Sequence, residues 1–159
     1  MPIRVPWKSK QYFGIGLLLL GMCGVIQLFF IFIGQYFLEI GNYIVVILVP
    51  IGITAATFFA TIIIFESYAQ IERREKLRSQ FRKSKMNLSK LDKILNFPIT
   101  KPLIIVFAVF ITVFFITFFI SIVFLDNTFS FIVAENLSAI MCLLIANLVE
   151  KSYGKVQRY

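Results

Sequence analysis

The chain has 159 residues, of which 59% are apolar and 15% charged, against roughly 45–50% and about 25% in an ordinary soluble domain. A mean hydropathy of +0.88 in a globule this small would leave large apolar patches exposed to water, so the composition points to lipid as the solvent. Disorder is excluded by the same apolar excess and a disulfide scaffold by the presence of only two cysteines.

Four stretches without Lys or Arg, over 12–34, 43–65, 103–125 and 129–149, reach the roughly 17–25 residues that a helix needs to cross the hydrocarbon core. Backbone groups cannot go unpaired in lipid, and the continuous apolar runs lack the alternation of barrel strands, so each stretch is expected to be a helix. The expected class is all-α: one polytopic membrane domain of four transmembrane helices, with a basic helical loop over 66–102. The first stretch is longer than the h-region of a signal peptide, about 7–15 residues, and reads as an uncleaved anchor.

Three basic residues precede the first span (Arg4, Lys8, Lys10), ten lie between spans two and three, and three follow span four (Lys151, Lys155, Arg158). The two remaining connections carry only Glu39 and Asp126. Cytoplasmic flanks gather Lys and Arg, so both termini and the long loop are expected in the cytoplasm.

The first span carries Gly14, Gly21 and Gly24 and one buried-depth amide, Gln27. In the second, Gly52, Ala56 and Ala60 form a small-residue row at four-residue spacing, with Thr57 and Thr61 beside it; such rows let helix backbones approach closely in lipid. Pro50 lacks a backbone donor and frees the Val46 carbonyl.

The loop that follows has ten basic residues against four acidic ones. Glu72 and Lys76 at i, i+4 favour a helical stalk continuing from span two to about Lys85. Ser89 with Asp92 resembles a capping box before a short amphipathic piece that ends at Pro98. Arg73, Arg74, Lys76, Arg78, Arg82, Lys83 and Lys85 are the residues expected to meet anionic headgroups or an acidic partner subunit. Nucleic acid is not an expected partner, because the stretch lacks aromatic interleaving.

Span three is rich in Phe among Ile and Val and is apolar all round, with no small-residue row; a helix of that kind is expected to meet lipid or partner protein on every side. Span four offers a second small-residue row, Ala139, Cys142 and Ala146, and the only acid well inside a span, Glu135, roughly 9 Å below the outer boundary at about 1.5 Å per residue. Counting from the span ends, Gln27, Pro50, Thr117 and Ser121 reach a similar depth and define a polar layer with Glu135. An intramembrane carboxyl is a functional candidate by default, either as a protonatable site for a cation or substrate, or as a neutral group that hydrogen-bonds Gln27, a hydroxyl or a carbonyl and fixes the register of the bundle or of a neighbouring subunit.

With no His and two separated Cys, His-based metal and haem sites and His-dependent triads are not available from this chain. No cofactor and no catalytic residue is expected, and the chain reads as a non-enzyme. The leading expectation is a non-catalytic accessory subunit that packs against other integral membrane subunits and lipid. The alternatives are a small homo-oligomeric transporter or channel using Glu135, and a subunit contributing to the substrate pocket of a membrane enzyme.

Overall fold

The computed structural model describes the backbone of residues 10–79 and 99–154, and side chains over 13–69 and 99–152. The side chains of Arg73, Arg74, Lys76 and Arg78 fall outside that description, as do Arg82, Lys83, Lys85 and the capping-box segment altogether.

The described chain is all-helical, with four helices long and apolar enough to cross a membrane. They are α1 (Lys10–Phe32), α2 (Tyr43–Ser79), α3 (Thr100–Ser121) and α4 (Asn127–Gly154). Helix α2 runs for 37 residues and carries the helical path beyond Glu66 to Ser79. Helix α3 starts directly after the Pro98 segment and holds Pro102 in its first turn, where a missing donor removes no intrahelical bond.

Helix α1 ends in a π-helical turn, Ile33–Phe37. Leu38 N donates to the Ile33 carbonyl at 3.0 Å and Ile40 N to the Gly34 carbonyl at 3.2 Å, so the chain winds wide before it reverses. Glu39 takes a left-handed backbone with φ of 47°, an unfavourable region for a residue with a Cβ. The residues on either side of it, Leu38 and Ile40, are buried in the core, and the contacts they make hold the reversal. Asn127, the first residue of α4, donates from Nδ2 to the Leu38 carbonyl at 3.2 Å. Both short connections therefore lie at one end of the bundle, the short-loop end.

Helix α3 ends at Ser121, four residues before the apolar stretch itself runs out. The chain turns there through Leu125 N to the Ser121 carbonyl at 2.9 Å. Contrary to the all-round reading, α3 has one interior stripe. Pro102, Val106, Phe110, Phe114 and Phe118 are buried at strict four-residue spacing, while Ile104, Ile116, Phe119 and Ile120 face outward.

The core is aromatic toward the short-loop end. Phe30 of α1 meets Phe110 and Phe114 with ring centroids 4.9 and 4.7 Å apart, and Phe114 meets Phe131 of α4 edge-on at 5.8 Å. These four rings and Phe118 are at most 2% exposed. Helix α4 is the most buried of the four. It packs mainly on α2 and α3, whereas α1 packs mainly on α2 and touches α3 sparingly.

Candidate functional site

The interior of a lipid-embedded bundle should have no polar atom without a partner, because there is no water to supply one. The hydroxyls obey this. Thr57 donates to the Ile53 carbonyl at 3.0 Å, Thr61 to Thr57 at 2.7 Å, and Ser138 to Ala134 at 2.6 Å, all within their own helices. These back-bonds keep hydroxyls tolerable on an apolar face.

Two side chains do not obey it. Glu135 is fully buried and Gln27 is 2% exposed, yet both carboxyl oxygens of Glu135 and both amide atoms of Gln27 lack a hydrogen-bond partner. Among the described residues no hydrogen bond joins Glu135 to Gln27, a hydroxyl or a carbonyl.

Interhelical contacts fix the level of these groups. On α1, Phe30 lies against Phe110 and Phe114, and Cys23 Sγ is 3.6 Å from Thr61 Oγ1; Gln27 lies between, one turn from each. On α4, Phe131 lies against Phe114 and Cys142 Sγ is 3.6 Å from the Val106 carbonyl; Glu135 and Ser138 lie between. Phe110 of α3 lies at the Phe30 end of the first bracket and inside the second. Thr57 of α2 stands one turn from Thr61 toward the short-loop end, as Gln27 does from Cys23. Gln27, Thr57, Glu135 and Ser138 thus stand within about one turn of one another along the bundle, and all four are buried.

The polar layer expected from residue counting differs from this one. Pro50 is buried but lies two turns from Thr57 toward the short-loop end, one turn from Val46, whose side chain faces Gly34. Thr117 and Ser121 are only half-buried and lie beyond Phe114 in the last turns of α3. Their offset follows from α3 stopping at Ser121, which brings both nearer to the helix end than the length of the apolar stretch implies. Thr57 and Ser138 take their place in the layer; Thr57 stands beside the small-residue row of α2, but the depth of both depends on how α2 and α4 slide against α1 and α3.

Small residues divide in the same way. Ala139, Cys142 and Ala146 are buried, as is Ala60, while Ala56 is half-buried and Gly52 exposed. A Cβ added at Gly52, Gly14, Gly21 or Gly24 would meet nothing within 4 Å. The close approach is instead at Gly34, where a Cβ would stand 3.0 Å from Val46 Cγ1 and 3.2 Å from Phe131 Cε2.

Beside the Gln27 level, a small pocket opens between α1, α2 and α3, lined by Cys23, Ile26, Thr57, Thr61, Leu103, Val106, Phe107 and Phe110. Ile26, Leu103 and Phe107 on its rim are half-buried, consistent with the sparse contact between α1 and α3. Among the described residues no three His, Cys, Asp or Glu side chains come together as metal ligands.

The fold and its apolar exterior define a multi-pass helical membrane protein. No protein-family model, curated protein or solved structure matches the chain.

Proposed function

We propose that this protein is a non-catalytic accessory subunit of a larger membrane assembly, with its outer faces packed against other integral membrane subunits and lipid. The observation that supports this reading is the packing of the bundle interior: five phenylalanines, Phe30, Phe110, Phe114, Phe118 and Phe131, fill the core toward the short-loop end with at most 2% exposure. Among the described residues these rings fill the interior of a single copy at that level. What it presents is its exterior, where Leu17, Phe29, Leu48, Phe59, Phe119 and Leu148 are each at least half exposed. Side chains of this kind suit lipid tails and the flanks of other helices equally.

In this reading both termini and the 66–102 loop lie in the cytoplasm, following the distribution of the sixteen basic residues. Arg73, Arg74, Lys76, Arg78, Arg82, Lys83 and Lys85 would contact anionic headgroups, at roughly 1 kcal/mol each near the surface, or an acidic face of a partner subunit. Extraction of the tagged chain from its native membrane in mild detergent, followed by native mass spectrometry, tests the proposal. A stoichiometric membrane partner supports it, and a solitary monodisperse species counts against it.

A second reading, a small homo-oligomeric transporter or channel centred on Glu135, is favoured by the unpartnered carboxyl and amide. A conduit would then have to run between copies. Reconstituted flux that is unchanged in Glu135→Gln would remove it.

A further inference from the structure

The Gln27 level contains more acceptors than the protein can satisfy. The hydroxyl protons of Thr57 and Ser138 are already donated to carbonyls of their own helices, so toward the interior their oxygens can only accept. Glu135 adds two carboxyl oxygens and Gln27 one amide oxygen, all without partners. Oxygens carried by α1, α2 and α4 thus stand within about one turn of the same buried depth, and the Gln27 amide nitrogen, among the described residues, is a donor there that is itself unpaired.

The charge balance is equally one-sided. Among the described buried residues of all four helices there is no Lys or Arg, and the titratable groups other than Glu135 are the thiols Cys23 and Cys142. A carboxyl group removed from water is held either as the neutral acid or as a carboxylate paired with a cation. The guest that complements one acid surrounded by neutral oxygen acceptors is a single positive charge with no apolar body. Hard cations of that kind take carboxylate, amide and hydroxyl oxygens as ligands in preference to sulfur or imidazole.

We propose that Glu135, with Gln27, Thr57 and Ser138, forms an intramembrane binding site for a monovalent alkali cation, which exchanges with the proton on Glu135. A small pocket between α1, α2 and α3 touches Thr57; Glu135, Gln27 and Ser138 are not in its lining. The site is separate from the accessory role: it rests on the interior of one copy, and its failure would leave the partner proposal untouched.

The test uses the full chain, purified and reconstituted in vesicles of neutral lipid, with a hydrophobic carbodiimide as the probe. Carbodiimides add to protonated carboxyls that lie in an apolar environment, and the adduct is located by peptide mass spectrometry. The expected result is modification at Glu135 in choline chloride that falls as sodium chloride replaces it, and no adduct at that position in Glu135→Gln. Gln27→Leu should still be modified but should need about tenfold more sodium for the same protection, the size expected for losing one hydrogen-bond-strength ligand to a charge. Thr57→Val reports independently, because it removes an oxygen at nearly constant shape and should also shift the protecting concentration. Each variant is first shown to elute as the parent does on size exclusion. Modification of Glu135 that sodium, lithium and potassium all leave unchanged overturns the cation site, and so does the absence of any adduct at Glu135 in choline.

Discussion

Asn127 and Leu38, 89 positions apart in the chain, are joined by a hydrogen bond of 3.2 Å from Asn127 Nδ2 to the Leu38 carbonyl. The bond ties the start of α4 to the reversal after α1 and makes the two short connections one structural unit. An impermeant thiol reagent should therefore reach single cysteines placed at Glu39 and Asp126 from the same side of the membrane, in a background with Cys23→Ala and Cys142→Ala. If the basic residues set orientation, that side is the external one. Labelling of the two positions from opposite sides would contradict the fold.

Gly34 is pressed against side chains of other helices. With Val46 Cγ1 at 3.0 Å and Phe131 Cε2 at 3.2 Å from the place of a Cβ, Gly34→Ala must displace one of them, and Gly34→Leu both. Overpacking of this kind costs about 1–3 kcal/mol. The expected outcome is a lower thermal midpoint for retention of the monodisperse peak in detergent, larger for Leu than for Ala. Gly21→Ala and Gly52→Ala, whose Cβ would meet nothing within 4 Å, should leave the midpoint near that of the parent.

Phe114 touches Phe30, Phe110, Phe118 and Phe131 and is fully buried. Phe114→Ala opens a cavity that lipid cannot fill, and in soluble cores such a change costs roughly 3–5 kcal/mol. The transfer component is weaker in a membrane, so the loss should approach the lower end of that range. Phe114→Leu, which keeps most of the volume, should lose less than about 1.5 kcal/mol. Unfolding of the purified variants in a denaturing detergent titration measures both.

Cys23 and Cys142 are 3% and 1% exposed. Thiol chemistry requires the thiolate and access to it, so both should resist maleimide in the folded protein in bilayers and react fully after denaturation in sodium dodecyl sulfate. Intact-mass measurement counts the adducts. Rapid labelling of either thiol in the native state would show that the bundle opens at the level of Thr61 or Val106.

Much of the architecture was legible in the amino-acid order because lipid imposes it locally. Any stretch long and greasy enough must satisfy its own backbone as a helix, and the four helices follow from hydropathy alone. The interior face of α3 was not legible for the same reason. Phe110, Phe114 and Phe118 have Phe, Ile and Val on every other side as well, so no amphipathic contrast distinguishes the stripe that packs from the faces that do not. Glycine spacing misdirected in a related way: Gly52 sits in a row at four-residue spacing but is exposed, while Gly34 shows no pattern.

The amino-acid order by itself determined four apolar helices, the concentration of cations at one set of chain segments, and the presence of a lone acid, Glu135, too deep to be a boundary residue. Only the tertiary structure decided which polar groups stand level with that acid. Depth along a helix is counted from its end, and the early stop of α3 at Ser121 and the wide turn at Ile33–Phe37 moved those ends. The packing of Phe30, Phe114 and Phe131 then set the slide of one helix against the next, which put Gln27, Thr57 and Ser138 at about the depth of Glu135 and left Pro50, Thr117 and Ser121 nearer the short loops.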